Sequence, residues 1–396
     1  MKSILFVYHA SNIGGGTYCL LNILKEIDRS KYNPIVLLRS KGDLVKEIKD
    51  LGIDVLYMPT MTLVPYNRSY WERGVLKAYW NIKKSFPVFE TLLERINPDA
   101  VYFNTMMLAP YLEVAKKKGL KTAIHLREHW PLSEHVKQLF KVQNIITTYA
   151  DQIIAINSYS ASMVPKRDVT IVYDWIDLSN RYAYQPFDSI FGEGGSRFKV
   201  YMFLGGLQDI KGAAEVVEVF SNHIKGDMNR LLMVGVDPKP NYKGLKNKIR
   251  YYLAKTGLFY VYEYKVRSMI ASDDRIVCIP AIYELKHIIQ QAYCNISFFT
   301  IPHANLALAE SIILGTIPVA AKTEESVEYS NGGDLALLFE LGNKDDFIKK
   351  IKELDKNYYE LNDKLAKDGH VVAELFDKKR NVAILEDVLN NLVENK

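Results

Sequence analysis

The sequence predicts an α/β protein built from two doubly wound, Rossmann-like domains facing a cleft. Three observations predict it. Short Val/Ile-rich strands alternate with amphipathic helices along the first half, the alternation begins afresh near residue 197, and a Gly/Pro/Ser-rich stretch separates the two series. A length of 396 residues suits two domains better than one.

Taken in order, "SILFVYH" reads as a strand that runs into a glycine loop, and "TYCLLNILKEID" carries apolar residues at helical spacing. "NPIVLLRS" is the next strand, "GDLVKEIKDLG" a helix ended by glycine, and "DVLYMP" a strand. "PDAVYFNT", "PYLEVAKKKG", "KTAIHLRE" and "ADQIIAINS" continue the rhythm. Residues 183 to 197, "AYQPFDSIFGEGGSR", have linker composition. The second series runs through "FKVYMFLGG", "KGAAEVVEVFSNHI", "RLLMVGV", "DRIVCIP", "NISFFT", "ALAESIILG" and "IPVAA". The expected domains are 1–185 and 197–369, with a helix at about 370–396 packing back on the first.

Hydrophobic residues make up 48% of the chain and charged residues 24%, which excludes global disorder. Three cysteines, Cys19, Cys278 and Cys294, stand far apart in apolar settings, so neither a disulfide framework nor a zinc spacing is present. The N-terminal run reads as a first strand rather than a signal peptide, and no apolar run approaches the ~20 residues of a membrane span. A cytoplasmic protein is expected.

The charge is uneven. Residues 239–268 carry eight Lys or Arg against one Glu, a net of +7 where the whole chain has +5, and seven aromatic residues besides. A smaller basic, aromatic stretch spans 66–86. Both suit peripheral contact with an anionic membrane, at its inner face; nucleic acid is not expected, since no binding motif accompanies them.

Ligands of open parallel sheets sit beyond the carboxyl ends of the strands, so the loops there hold the candidates. "HASNIGGGTY" places Gly14, Gly15 and Gly16 at the mouth of a helix, suited to a phosphate, or to a sugar or acceptor pressed against backbone. It is neither GxGxxG nor a Walker loop. In "FLGGLQDIKG", Lys211 stands at the start of a helix, where a cation is unfavourable unless it meets an anion. "HLREHW" clusters His125, Arg127, Glu128 and His129, which do not converge as metal ligands; a contact of His or Arg with sugar or phosphate fits better. Glu310 is a lone acid in "PHANLALAESIILGTIPVAA", read as sitting near a helix N-terminus, where it accepts two hydroxyls such as those of a ribose.

These blocks, in this order, resemble the retaining GT-B glycosyltransferases of family 4, over essentially the whole chain; the Glu-small-Gly-x-Pro-Val block is the most specific part. The resemblance implies a nucleotide-sugar donor of UDP or GDP type, held mainly by the second domain. It implies catalytic roles for His125, Lys211 and Glu310: Lys211 on the donor diphosphate, Glu310 on the ribose, His125 near the donor sugar. It implies donor contacts from Gly14, Gly15 and Gly16, from Gly206 and Ile282, and from Ala304, Asn305 and Leu306. No metal and no cofactor beyond the donor are implied. Two positions depart from the family: Gly206 stands where an Arg is common, and Pro302 where a second acid is common. Arg127 is a candidate to replace the missing cation, and Asn305 or backbone amides the missing acid.

The function so implied is retaining transfer of a sugar to a glycan or lipid-linked acceptor in cell-surface polysaccharide assembly. The alternatives are a catalytically silent GT-B protein that binds glycan or a partner enzyme, or a nucleotide-sugar epimerase.

Overall fold

A computed structural model describes residues 1–12, 14–65, 74–130, 136–176, 178, 187–238, 249, 252–253, 256, 261–282 and 285–394. The chain divides into two compact units, Met1–Trp175 with Asp377–Lys396, and Ile176–Phe376. Most of the basic stretch 239–268, and residues 66–73 of the smaller one, lie outside the described residues.

In the first unit the described strands form one parallel sheet of seven. They are β1 (Lys2–Tyr8), β2 (Tyr32–Leu38), β3 (Asp54–Tyr57), β4 (Ala100–Phe103), β5 (Lys121–Leu126), β6 (Gln152–Ala155) and β7 (Thr170–Ile171). Their order is β3-β2-β1-β4-β5-β6-β7, so the direction of winding reverses between β1 and β4. Alternate residues feed two cores. Leu5, Val7, Val101, Phe103 and Ile124 pack with Phe89, Leu92 and Leu93 of the helix Val75–Ile96. Ile4, Phe6, Tyr102 and Ala123 pack with Leu20 and Leu24 of the helix Gly15–Glu26. The second core also takes Leu385, Val388, Leu389 and Leu392 from the C-terminal helix Lys378–Glu394. Burial on both faces is why these strands read as continuous apolar runs.

In the second unit six described strands are also all parallel: β8 (Lys199–Phe203), β9 (Asn229–Val234), β10 (Ile276–Ile279), β11 (Cys294–Ser297), β12 (Ile317–Ala321) and β13 (Leu337–Phe339). The order β10-β9-β8-β11-β12-β13 puts the reversal between β8 and β11. Two strands contain proline, and both tolerate it for one reason. Pro34 of β2 and Pro318 of β12 each have a ladder partner on one side, Ile4 and Asn295, while the strand on the other side begins pairing only at the following residue.

The separating stretch is not all linker. Phe187 is 2% exposed and packs with Val200 and Met202, and the short helix Asp188–Phe191 follows it. Gly and Ser around a single buried ring disguised that anchor. The chain passes between the units at residues 175–176 and 376–377. Within the second unit the Ile176 amide donates to the Phe376 carbonyl at 3.2 Å. Within the first, the Tyr173 amide donates to Asn381 Oδ1 at 2.9 Å.

Candidate functional site

Each unit has a set of unusual residues beyond the strand ends at its reversal point, where open α/β sheets take ligands. In the second unit the loops after β8 and β11 flank that point. Gly206, with φ +59°, donates its amide to Val234 O at 3.2 Å, and a Cβ there would come within 3.2 Å of the Gly235 carbonyl oxygen. The position is therefore shaped for glycine, and an Arg side chain there would carry a strained left-handed backbone.

Downstream, a 3₁₀ turn spans Asp209–Lys211, and Gly212 (φ +70°) starts the helix Ala213–His223. A Cβ on Gly212 would meet the Phe298 ring at 2.3 Å, so this glycine lets the two loops close on each other. Thr300 fastens them: its amide donates to Ile210 O at 3.0 Å and its hydroxyl to Asp209 O at 3.3 Å. Lys211 is half-buried between them, with the Phe299 ring centroid 6.0 Å from Nζ and no carboxylate or hydrogen-bond partner for its amine among the described residues. Burial lowers its pKa. An ammonium left without a counter-charge in such a place is costly, and an anion beside it removes the cost.

Phe299 itself has φ +34° and is 5% exposed. A bulky side chain in that region is strained, and strain of this kind persists where surrounding structure enforces it. Its ring stands edge-on to His303 at 5.4 Å. The loop ends at Asn305, whose Oδ1 accepts from Ser297 Oγ at 3.2 Å and whose buried Nδ2 has no partner among the described residues.

The helix Leu306–Ile313 begins there, with Ala304 and Leu306 partly buried at its mouth. It is tied to β11 by Asn295, whose Nδ2 donates to Ala307 O at 3.1 Å and to Ser311 Oγ at 2.8 Å. Glu310 is half-buried in the second turn, not at the N-terminus expected of it. The apolar run before it, "LALA", is already helix, so the macrodipole gives its charge little support at that depth. Helical side chains lean back towards the N-terminus, which carries Glu310 over the turn that Asn305 opens. Ile282, at the end of the described part of the loop after β10, packs partly against the core of the unit.

In the first unit the candidate residues stand across the ends of β1, β4 and β5. Phe6 pairs with Tyr102 and Phe103 with Ile124, so Tyr8, Asn104 and His125 fall in one row on one face. Tyr8 lies under the glycine loop. A Cβ on Gly16 would meet its hydroxyl at 2.2 Å, whereas one on Gly15 meets nothing within 4 Å and one on Gly14 only Thr17 Oγ1 at 3.9 Å. Gly16 is thus explained by packing, while Gly14 and Gly15, both exposed, are not.

His125 is 1% exposed. Its Nδ1 lies 2.6 Å from Tyr102 Oη and 3.3 Å from Arg127 Nη2. A guanidinium only donates, so Nδ1 accepts and Nε2 carries the proton. Burial, then the nearby Arg127 charge, holds the ring's pKa well below its ordinary value, so it is neutral. Nε2–H and the Asn104 Nδ2 have no partner among the described residues.

Arg127 does not have the freedom expected of a replacement cation. Its Nη1 lies 2.7 Å from both carboxylate oxygens of Asp174, and its Nε donates to Asn104 Oδ1 at 2.9 Å. With 7% of its side chain exposed, it is committed within its own unit. Glu128 accepts from the Thr105 hydroxyl and from the amides of Met106 (3.0 Å) and Arg127 (3.2 Å). Burial nevertheless raises its pKa. Tyr8, Asn104, Asp174 and Phe299 escaped the sequence reading because tyrosine, asparagine, aspartate and phenylalanine near strand ends carry no motif. Tyr8 and Asn104 emerge from cross-strand register, Asp174 and Phe299 from contacts made by loops after strands.

No protein-family model matches the chain, and no curated protein matches it in sequence. Its shape is matched by solved structures. Anabaena Alr3699/HepE in complex with UDP and glucose superposes with a TM-score of 0.74 at 16% identity, covering 99% of this chain and 100% of that one. A glycosyltransferase from Rickettsia africae gives 0.70 at 15% identity, covering 100% and 99%. Sucrose-phosphate synthase from Thermosynechococcus elongatus gives 0.69 at 12% identity, covering 100% of both chains. At such identities the likeness concerns the fold alone: the chain has the GT-B fold, two Rossmann-like α/β units of parallel sheet.

Proposed function

We propose that the protein is a glycosyltransferase that moves a sugar from a nucleotide-sugar donor, of UDP or GDP type, to a glycan or lipid-linked acceptor with retention of configuration. The observation that carries this reading is Lys211: a half-buried amine with no counter-charge among the described residues, set at the reversal point of the second sheet. The structures of HepE that resemble the chain hold UDP or UDP-glucose. A donor diphosphate against Lys211 neutralises that amine, and Glu310 accepts the ribose hydroxyls from the following helix.

The chemistry follows from the charges. As the sugar–phosphate bond lengthens, negative charge grows on the leaving diphosphate, and Lys211 with backbone amides stabilises it without a metal. The anomeric centre becomes oxocarbenium-like, the acceptor hydroxyl attacks from the face being vacated, and the leaving phosphate takes its proton. His125, as a neutral Nε2–H donor, and the exposed backbone of Gly14 and Gly15 are the first unit's candidates for contact with sugar or phosphate. Ile282 is the candidate for the base. A place in polysaccharide assembly, in the cytoplasm at the inner membrane face, belongs to the same reading.

The test is thermal stabilisation across UDP, GDP, ADP and CMP, since a ligand of the native state raises its apparent stability. One nucleoside diphosphate is expected to raise the melting temperature, and Lys211→Ala and Glu310→Ala to remove that rise. No stabilisation by any nucleotide, or an unchanged rise in both variants, overturns the assignment. A second reading, a catalytically silent binder, is favoured by Gly206, which stands where the resembled family commonly has an arginine and whose left-handed backbone disfavours a side chain there. Nucleotide binding without transfer or hydrolysis across a panel of nucleotide sugars would select it.

A further inference from the structure

We infer that two helices of the first unit form a docking surface for an anionic phospholipid bilayer. The first is the leading half of Val75–Ile96, the second is Val136–Tyr149. Between residues 75–88 and 136–149 there are five lysines, Lys77, Lys83, Lys84, Lys137 and Lys141, and no acid. All five are exposed. Large apolar side chains stand among them in solvent: Leu76 is 65% exposed, Trp80 55% and Phe140 57%.

The spacing orders these residues. Leu76, Trp80, Lys83 and Lys84 recur at helical intervals on the outer face of the first helix. Lys137, Phe140, Lys141 and Asn144 do so on the second. The two faces are continuous. Tyr79 Oη donates to Gln138 Oε1 at 3.2 Å, and Lys141 Nζ lies 4.1 Å from the Tyr79 ring centroid. The charge of Lys83 reaches Lys141 as well, and adds to burial in lowering its pKa. Like charges so close together on a solvent-facing surface repel one another, which costs the fold. A partner of opposite charge relieves that repulsion.

The chemistry favours a membrane over a protein or a nucleic acid. Lys84 Nζ sits 3.5 Å over the Trp80 ring, so cation and indole form one amphipathic unit. Lysines beside Trp, Phe and Leu on adjoining helical faces place ammonium groups at headgroup level and rings at the acyl boundary. Neither helix is apolar enough to insert across a bilayer, and no helix among the described residues is. The surface lies wholly in the first unit and does not depend on the donor reading of the second.

The test is co-sedimentation of the full chain with vesicles of phosphatidylcholine alone or mixed with phosphatidylglycerol. Binding to the anionic vesicles is expected, with little to the neutral ones, and it should weaken as salt rises. The triple variant K83E/K84E/K141E should lose at least about tenfold in partitioning. Of the four tryptophans, Trp80 is exposed on this face, Trp130 and Trp175 are 0% and 4% exposed, and Trp71 lies outside the described residues. In a Trp71→Phe background the Trp80 emission should be quenched by brominated lipid, and adding Trp80→Phe should remove most of that quenching. Melting of each variant, with and without UDP, separates loss of the surface from loss of fold or of nucleotide binding. Equal binding to both vesicle types, no binding at all, or full binding by the folded triple variant overturns the inference. Protection of Trp80 by self-association or by added RNA, without lipid quenching, does so too.

Discussion

At the scale of the residue, the two units keep charged or titratable groups where burial disfavours the charged form, and pH reports it. His9 is held at about 4 by burial and by the Arg39 charge, against an ordinary 6.5. His125 is lowered as well. The folded state refuses a proton that the unfolded chain accepts, so each contribution is complete above about pH 6.5 and is lost as pH falls below it, for His9 through the range down to about 4. For His9 the loss amounts to at most about 3 kcal/mol. Denaturant melts between pH 7 and pH 4 should show a steeper decline for the native chain than for His9→Leu. Lys211 works in the opposite sense to a stabilising group. Its amine loses hydration on folding and gains no partner charge among the described residues, so Lys211→Met is expected to melt higher than the native chain near neutral pH while losing the UDP-induced rise. A variant that melts lower would show that the amine is satisfied internally.

At the scale of the element, the glycine loop and the Glu310 helix show what a sequence displays and what it hides. Three successive glycines made the loop a candidate, yet of the three only Gly16 has an internal reason for lacking a side chain, the Tyr8 hydroxyl beneath it. Gly16→Ala should therefore cost stability, whereas Gly15→Ala should fold normally and weaken ligand binding alone. Melting curves with and without nucleotide sugar distinguish the two. The helix carrying Glu310 was legible from its apolar spacing and its terminal Gly315, which has φ +80°. Its start was not. Asn305 opens it without a side-chain capping bond, so no cap motif marked the boundary, and Glu310 was placed one turn too close to the N-terminus. Arg127 was misjudged for a related reason. Asp174 lies 47 residues further along the chain, and nothing local tells a reader that an arginine at the end of β5 is already spoken for.

At the scale of the whole molecule, period and composition carried most of the fold. Runs such as "SILFVY" and "IPVAA" bury both faces, and only a covered parallel sheet asks that of a strand. The order of the strands, and hence the reversal points, follows from the pairings of β1 with β4 and of β8 with β11, which no local pattern contains. The C-terminal helix has its own test. Leu385, Val388, Leu389 and Leu392 are each no more than 4% exposed in the first unit's core. Each such side chain contributes roughly 1.5–3 kcal/mol by burial. Ending the chain at residue 376 should therefore melt the first unit at a lower temperature and split the calorimetric transition, while a UDP-dependent rise persists in the other part. A single transition that still responds to UDP would count against this account.

The hydrogen bond from Ile176 to Phe376 also bears on how such proteins diversify. The second unit is one uninterrupted stretch, Ile176–Phe376, whose first and last residues touch. It is threaded into the first as a cassette, entering and leaving at one place. Exchange of the whole stretch with that of another protein of this fold requires only two joints a few ångströms apart, and no strand of the host sheet has to be rewired. A lineage or an engineer can therefore change the second unit as a block, while the surface bearing Trp80 and Phe140 stays with the recipient.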